Sequence, residues 1–323
     1  MDKPLLPTLN GIPILPNLGE SLPYIQGNIL HVRPRYGSDV NAIPNRVERA
    51  YRTISKAFAD CEPNRNDTIL FYGEGNPKAQ CSEVLASQMD WNKDFVHLVG
   101  VHSGVSLSPR ARIECAAAYD AAPPIFKVSA NGCLIKNVEI ILETTGTTSL
   151  GALEVTGTRN RFVNNHIYGF ANAASDLAGA YSLYLNNCEE NEFINCQVGS
   201  DRIAQGAQVN SQILVDNTAK NNLFQDSIIR LVSTHATNHL FVIAGSGSLD
   251  GSLVFRNTIG VNSQSRNVAG LELTYAMAVH ASAGGDVILD VNSAFQATDL
   301  NSTDAGNVYG AGAGAGILVP LVK

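Results

Sequence analysis

Short apolar strand patterns recur along this chain about every thirty residues, and this repeat constrains the fold more than any other feature. In one set of apolar pairs, the first members lie 30, 30, 28 and 30 residues apart; the pairs are Leu153-x-Val155, Leu183-x-Leu185, Ile213-x-Val215, Phe241-x-Ile243 and Leu271-x-Leu273. In a second set, the last members lie 27, 31, 30 and 31 residues apart; the segments are Ile135–Ile140, Phe162–Ile167, Phe193–Val198, Leu223–Ile228 and Val254–Ile259. Two independent sets that share one period predict a chain that stacks the same structural unit repeatedly.

The predicted strands are too short and too closely spaced for a fold that alternates strands with helices. Each spans four to six residues with alternating apolar and polar positions, and each ends in Asn, Gly or Asp. Only 10–20 residues separate them, with no amphipathic helix in between, which argues against a βα solenoid or an α/β barrel. The sequence therefore predicts an all-β protein, a right-handed parallel β-helix with coils of about 30 residues.

Asparagines follow the predicted strands at equivalent positions in successive coils. Asn187 and Asn217 follow strands of the first set, and Asn164 and Asn195 occupy a matching position in the second. Side-chain amides stacked one coil apart can hydrogen-bond to one another and fix a turn. We therefore expect these four residues to form structural ladders.

The first 30 residues form an extended, apolar arm. Prolines recur between Pro4 and Pro23, which excludes a helix or a central strand. Such an arm is predicted to wrap its own domain or to dock on a neighbouring subunit. The candidate partner-binding residues are Leu5, Leu6, Leu9, Ile12, Ile14, Leu15, Leu18 and Leu22.

A single helix is predicted after the arm. Residues 45–48 match a capping box with Asn45 as N-cap, and apolar residues then recur at helical spacing as far as Cys61. The predicted organisation is an arm (1–30), a first strand with a capping helix (31–66), a parallel β-helix (67–303) and a Gly/Ala-rich C-terminal tail (304–323).

Charge and cysteine content argue against several functional classes. The chain has 22 Lys and Arg against 29 Asp and Glu, a net charge of −7, so nucleic acid is not an expected partner. It has no apolar run of 18 residues, and its first residues lack a secretory signal, so no membrane association is expected. The six cysteines show no metal-binding spacing, so we expect reduced thiols, no metal and no cofactor.

Three stretches resemble the N-terminal part of pectin-lyase-like right-handed β-helices. They are Val32–Asp39, Tyr51–Phe58 and Asn66–Gly75, and the resemblance covers about residues 30–300. It implies the fold but not an activity, because this fold is shared by lyases, hydrolases, esterases and virion proteins.

A narrower resemblance lies in Asp90–Gly100, followed by Arg110–Ile113. This segment is similar to β-helical structural proteins of tailed bacteriophages. The resemblance implies a virion component that is assembled in the host cytoplasm and forms a homotrimer, and it leaves open whether the chain belongs to the head, neck or tail.

The sequence shows no assembled catalytic set. The Trp-x-Asp-His and Arg-x-Pro-x-x-Arg stretches of pectate lyases are missing, as are the Asp-Asp and Gly-His-Gly motifs of polygalacturonases. No Asp, Asp and Arg set typical of methylesterases stands out. Asp176 and Asp201 lie in longer loops and could line a groove, so they are the weak catalytic candidates. The sequence does not decide whether the chain is an enzyme, but the missing motifs argue against enzymatic activity.

Two functions follow from these observations. The preferred hypothesis is a non-enzymatic bacteriophage virion structural protein, a capsid decoration or head-attached protein. It would bind the major capsid protein or other virion proteins through its N-terminal arm. The alternative is a tailspike-like polysaccharide depolymerase, a lyase or hydrolase that acts on host surface glycans.

Overall fold

The computed structural model describes most of the chain between residues 27 and 301, with gaps, and a few residues beyond. The described ranges are 8–9, 12–13, 27–73, 82–101, 111–200, 202–206, 209–263, 273–280, 282–297, 299–301, 308–309 and 316–318. Within them, three sheets enclose one hydrophobic core, and successive coils each add a parallel strand to a sheet.

Each sheet is built from strands of successive coils. Sheet 1 contains Ile29–Val32, Thr68–Phe71, His97–Gly100, Leu134–Lys136, Arg161–Val163, Glu192–Ile194, Asn222–Gln225, Ser252–Arg256, Asp286–Leu289 and Val308–Tyr309. Sheet 2 contains Ser82–Leu85, Ala111–Cys115, Val138–Leu142, His166–Phe170, Gln197–Gly199, Ile228–Leu231, Ile259–Asn262, Ala294–Ala297 and the antiparallel Gly316–Leu318. Sheet 3 contains Met89–Trp91, Phe126–Val128, Leu153–Val155, Leu183–Asn186, Ser211–Asp216, His239–Ile243, Tyr275–Val279 and Asp299–Asn301. The predicted parallel β-helix is confirmed.

The first predicted strand set lies in sheet 3. Its first four members pair in register, at Leu153, Leu183, Ile213 and Phe241. The fifth member is wrong, because Phe241 pairs with Met277 rather than with a residue thirty positions further on. The reason is a longer connection: twelve residues separate Asn262 from Tyr275 (275 − 262 − 1), against seven between Leu231 and His239 (239 − 231 − 1) in the preceding coil.

The second predicted set comprises two strands per coil, one in sheet 1 and one in sheet 2, joined at a bend. In sheet 1, the inward-facing column consists of Leu30, Ile69, Leu98, Ile135, Phe162, Phe193, Phe224, Phe255 and Leu289. The predicted positions Leu223 and Val254 are therefore one residue too early. A slip of one residue reverses the face of a strand, and both side chains accordingly lie on the outside, half-buried.

Aromatic rings stack along the core of sheet 1. The ring centroids of Phe162 and Phe193 are 4.6 Å apart, those of Phe193 and Phe224 are 4.7 Å apart, and those of Phe224 and Phe255 are 5.2 Å apart. All four side chains are fully buried. The coil period therefore places like residues in contact, which explains why the repeat is visible in the sequence.

The capping helix is shorter than predicted. It spans Ile54–Asp60, and its N-cap is Thr53, whose hydroxyl accepts a hydrogen bond from the Lys56 N–H. The predicted N-cap, Asn45, has a left-handed backbone (φ 63°) and instead accepts from the N–H of Ile29. The helix cannot start at residue 45, because Tyr51 is extended and bridges Val32, so only a 3-10 turn forms before it.

A buried carboxylate from sheet 2 fastens this helix to the first coils. Glu83 accepts hydrogen bonds from the Ile54 N–H and the Ser55 hydroxyl, both at 3.0 Å. The carboxylate takes up donors at the helix start that would otherwise be unsatisfied. The helix is therefore held in place by a residue 29 positions further along the chain.

Buried histidines make the stability of the fold dependent on pH. Burial lowers the pKa of His97 to about 4, and its Nδ1 accepts a hydrogen bond from the N–H of Leu134 at 3.0 Å. Between pH 6.5 and 4 the unfolded chain binds a proton at this residue that the folded chain does not. Stability is therefore expected to fall as the pH falls through this window, by about 1.4 kcal/mol per pH unit for each such group.

Replacing the residue tests this expectation. His97→Gln should flatten the dependence of the free energy of unfolding on pH between 6.5 and 4, measured by denaturant titration. The control is Val291→Ala, a change at an exposed residue without a titratable group, which should leave the slope unchanged. An unaltered slope in His97→Gln would contradict the expectation.

Candidate functional site

The outer surface of sheet 3 carries a row of polar side chains from successive coils. Asp90, Lys127, Glu154 and Tyr184 occupy one column of directly paired positions, and Asn186 and Asp216 pair in a second column two residues along the strands. Residues two apart in a strand share a face. We call these six residues the polar face.

Glu154 lies near the middle of the polar face. Its Oε1 accepts a hydrogen bond from Asn186 Nδ2 at 2.7 Å, and its Oε2 is 3.8 Å from Lys127 Nζ. Only 11 % of its side chain is exposed. The carboxylate is therefore held in place by side chains of the preceding and following coils.

Asp216 belongs to the last coil of the polar face, at the end opposite Asp90. Its Oδ1 accepts hydrogen bonds from the Ser248 hydroxyl at 2.7 Å and from the Asn217 N–H at 2.8 Å. Between the two carboxylates lies Tyr184, whose pKa is raised by burial and by the negative charges of Asp216 and Glu154. Its phenol therefore stays protonated at neutral pH.

The spacing of the two carboxylates limits the chemistry that they could perform. Glu154 and Asp216 belong to coils two apart and to columns two residues apart, so their backbones are about 12 Å from each other. That backbone separation is longer than the roughly 5 Å between the carboxyl groups of retaining glycosidases, so both side chains would have to extend toward each other past Tyr184 to act as a pair. In addition, both carboxylates already accept hydrogen bonds from side chains of this chain.

A second charged cluster lies on the outer surface of sheet 2, where Arg112, Glu139 and His166 pair in one column. Arg112 Nε donates to Glu139 Oε2 at 2.5 Å, and His166 Nδ1 lies 3.5 Å from Glu139 Oε1. The side chains of Glu139 and His166 are only 2 % and 7 % exposed. A cluster buried this deeply serves to join coils rather than to contact a polymeric substrate.

The predicted catalytic residue Asp176 holds a loop in place. Its carboxylate accepts hydrogen bonds from the Gly206 N–H at 2.7 Å and from Asn210 Nδ2 at 2.8 Å. Its predicted companion, Asp201, lies outside the described residues.

The asparagines predicted to form ladders take two arrangements. Asn195 Nδ2 donates to Asn164 Oδ1 at 3.3 Å, and Asn164 Nδ2 donates to Asn137 Oδ1 at 2.7 Å. All three have left-handed backbones, at φ values of 51°, 54° and 57°. Asparagine tolerates this conformation better than most residues, which suits it to the bend between sheets 1 and 2.

The other predicted pair makes different contacts. Asn217 Nδ2 donates to Asn186 Oδ1 at 2.9 Å, and Asn187 Oδ1 accepts from the Thr218 hydroxyl at 3.0 Å. Asn187 and Asn217 also have left-handed backbones. Each therefore connects neighbouring coils through a residue adjacent to the expected partner.

The sequence prediction did not include a fully buried asparagine ladder at the start of three strands of sheet 1. Asn191 Oδ1 accepts from the Asn160 N–H at 2.9 Å, and Asn222 Oδ1 accepts from the Asn191 N–H at 3.1 Å. The three residues recur every 31 positions. This regular spacing in the sequence is the feature from which the ladder could have been predicted.

Two of the predicted docking residues fall on described strands of the arm. Leu9 and Ile12 are paired in the antiparallel strands Thr8–Leu9 and Ile12–Pro13. The other predicted docking residues lie outside the described residues: Leu5, Leu6, Ile14, Leu15, Leu18 and Leu22.

The described residues contain no group of three or more His, Cys, Asp or Glu side chains arranged to hold a metal ion. Among them there is also no helix with the length and hydropathy needed to cross a bilayer.

The fold is shared with solved parallel β-helix proteins. The chain is similar to a pectate lyase (TM-score 0.56, 14 % identity, covering 82 % of this chain and 62 % of the lyase). It is also similar to a pectin methylesterase in complex with a hexasaccharide (TM-score 0.53, 15 % identity, covering 80 % of this chain and 84 % of the esterase). These likenesses establish the fold alone, which confirms the pectin-lyase-like resemblance at that level.

Other comparisons add nothing about function. The likeness to ORF18 of Geobacillus virus E2 has a TM-score of 0.33 at 10 % identity, covering 84 % of this chain and 65 % of that one, and carries no argument. No protein-family model and no curated protein matches the chain.

Proposed function

We propose that this chain is a non-enzymatic structural protein of a bacteriophage particle, a trimeric β-helical rod that attaches through its N-terminal arm. The observation that carries the proposal is the use of exposed charges to join coils. Arg159 pairs with Glu190 at 2.6 Å, Arg161 with Glu192 at 3.0 Å and Lys220 with Asp250 at 2.8 Å, and every pair links adjacent coils.

These ion pairs favour a mechanical role over a catalytic one. Each exposed pair contributes less than about 1 kcal/mol alone, and the pairs add to the backbone hydrogen bonds, the core and the asparagine ladders that also join the coils. The resemblance of residues 90–113 to β-helical structural proteins of tailed phages supports the same proposal.

The proposal is tested by removing the arm. Deletion of residues 1–26 leaves the first strand, Ile29–Val32, intact, so the variant should melt like the full chain. Light scattering should give a trimer of 103.2 kDa (3 × 34.4 kDa) for the full chain, and the deletion should abolish its incorporation into particles. Unchanged incorporation, or a full chain that stays at 34.4 kDa, would contradict the proposal.

A second candidate function is polysaccharide cleavage, and the feature that motivates its test is a pair of carboxylates on the polar face with a tyrosine between them. The matched assay measures reducing ends released from purified host capsule. Release that is lost in Glu154→Gln and Asp216→Asn, but retained in Asp176→Asn, would overturn the structural role.

A further inference from the structure

The N-terminal end of the β-helix carries a surplus of positive charge. Residues 27–65 contain seven Lys and Arg and four Asp and Glu, a net charge of +3 (7 − 4). The whole chain carries −7, so the remaining residues carry −10 (−7 − 3). This end therefore differs in sign from the rest of the rod.

The acidic side chains at this end are engaged within it. Three of the four form local ion pairs: Arg46–Glu48, Lys56–Asp60 and Arg65–Glu62. The fourth, Asp39, accepts hydrogen bonds from the N–H groups of Arg52 and Thr53 and from the Thr53 hydroxyl. The exposed residues Arg35 and Arg52 have no ion-pair partner among the residues that the structure describes.

A tyrosine lies between two arginines at this end. The guanidinium carbons of Arg33 and Arg35 are 5.2 Å and 5.0 Å from the centroid of the Tyr36 ring, and that ring is 61 % exposed. A guanidinium group that stacks on an aromatic face can still bind a carboxylate through its in-plane N–H groups. Arg35 therefore presents oriented donors beside an exposed aromatic ring.

The turn that carries these residues is held by backbone hydrogen bonds and close packing. The N–H groups of Tyr36 and Gly37 donate to the Arg33 carbonyl at 3.1 Å and 2.7 Å, and the Ser38 N–H donates to the Ala50 carbonyl at 2.9 Å. A Cβ atom at Gly37 would lie 2.0 Å from the Tyr51 carbonyl oxygen, so only glycine permits this close packing. A preformed turn loses little conformational entropy when it binds a partner.

We infer that this turn, with Arg35, Tyr36 and the adjacent Arg52, binds a carboxylate-rich segment of a partner protein. A long polyanion such as duplex DNA would be repelled by the net charge of −10 on the rest of the chain, whereas a short acidic segment would not. The apolar arm joins the fold at the same end, which favours a protein surface over a carbohydrate. The inference names the chemistry of the particle partner and rests on the proposed function.

The test measures binding of a fluorescently labelled deca-glutamate peptide to the full chain by anisotropy at low salt. Arg35→Glu should weaken binding about tenfold, the size expected when a charge-assisted contact is lost and reversed, and Tyr36→Leu should weaken it severalfold. The control, Arg256→Glu, makes the same change of charge at an exposed position in sheet 1 and should stay within about twofold of the parent.

Three results would overturn the inference: no binding by the parent chain, equal losses in Arg35→Glu and Arg256→Glu, or tighter Arg35-dependent binding of a DNA duplex. Peptide binding that is lost in Arg35→Glu supports it even where deletion of residues 1–26 leaves particle incorporation unchanged. A failure of the proposed function can therefore be distinguished from a failure of the inference about the acidic segment.

Discussion

Phe224→Ala is expected to lower the free energy of unfolding by about 3–5 kcal/mol, the range for removal of a fully buried aromatic side chain. The Phe224 ring is 0 % exposed and stacks between Phe193 and Phe255. Its loss leaves a cavity between two rings that are fixed by strands of neighbouring coils, so the site cannot collapse easily. Guanidinium denaturation followed by circular dichroism measures the effect.

The neighbouring residue provides a matched control. Leu223 is also large and apolar, but its side chain lies on the outer surface of sheet 1 and is half-buried. Leu223→Ala should therefore cost less than about 1 kcal/mol. A larger loss in Leu223→Ala than in Phe224→Ala would mean that the register of this strand is wrong.

This pair of residues shows how far the sequence predicts the fold. The period and the parallel β-helix follow from the sequence, because stacked coils place like residues in contact. The strand register in two of the coils does not follow from the sequence. Leu223 and Phe224 are both apolar, so the alternation of apolar and polar residues cannot show which of them faces the core. The same ambiguity affects Val254 and Phe255.

The start of the capping helix shows a different limit. The apolar spacing after Asn45 is compatible with a helix, but Tyr51 pairs with Val32, which lies 19 residues earlier in the chain. Local propensity cannot report such a contact. The position of the helix is therefore set by tertiary pairing rather than by the capping box.

The polar face was not predictable as a unit. Glu154 and Asp216 lie in different columns and two coils apart, so their proximity depends on a register that must be correct to one residue. Asp176, in contrast, was predictable as a loop carboxylate, but its hydrogen bonds to Gly206 and Asn210 depend on where the next coil passes. Coil lengths that range from 24 to 37 residues in sheet 3 make such contacts invisible to a fixed repeat.

The buried asparagine ladder gives the second large expected effect. Asn191 is 0 % exposed, and its amide makes three contacts: it accepts from the Asn160 N–H and donates to the Gly157 carbonyl and to Asn222 Oδ1. Asn191→Ala leaves those groups buried without these partners, at a cost of about 1–3 kcal/mol for each unsatisfied group. A total loss of about 3–5 kcal/mol in the free energy of unfolding is expected, measured by the same denaturation.

An exposed asparagine separates burial from hydrogen bonding as the cause. Asn195 is exposed and donates to Asn164 at 3.3 Å from a backbone at φ 51°, a conformation that glycine adopts without strain. Asn195→Gly removes this amide while water replaces the lost contact, so it should cost less than about 1 kcal/mol. Equal losses in the two variants would show that stacking of amides as such, rather than satisfaction of buried backbone groups, stabilises the coils.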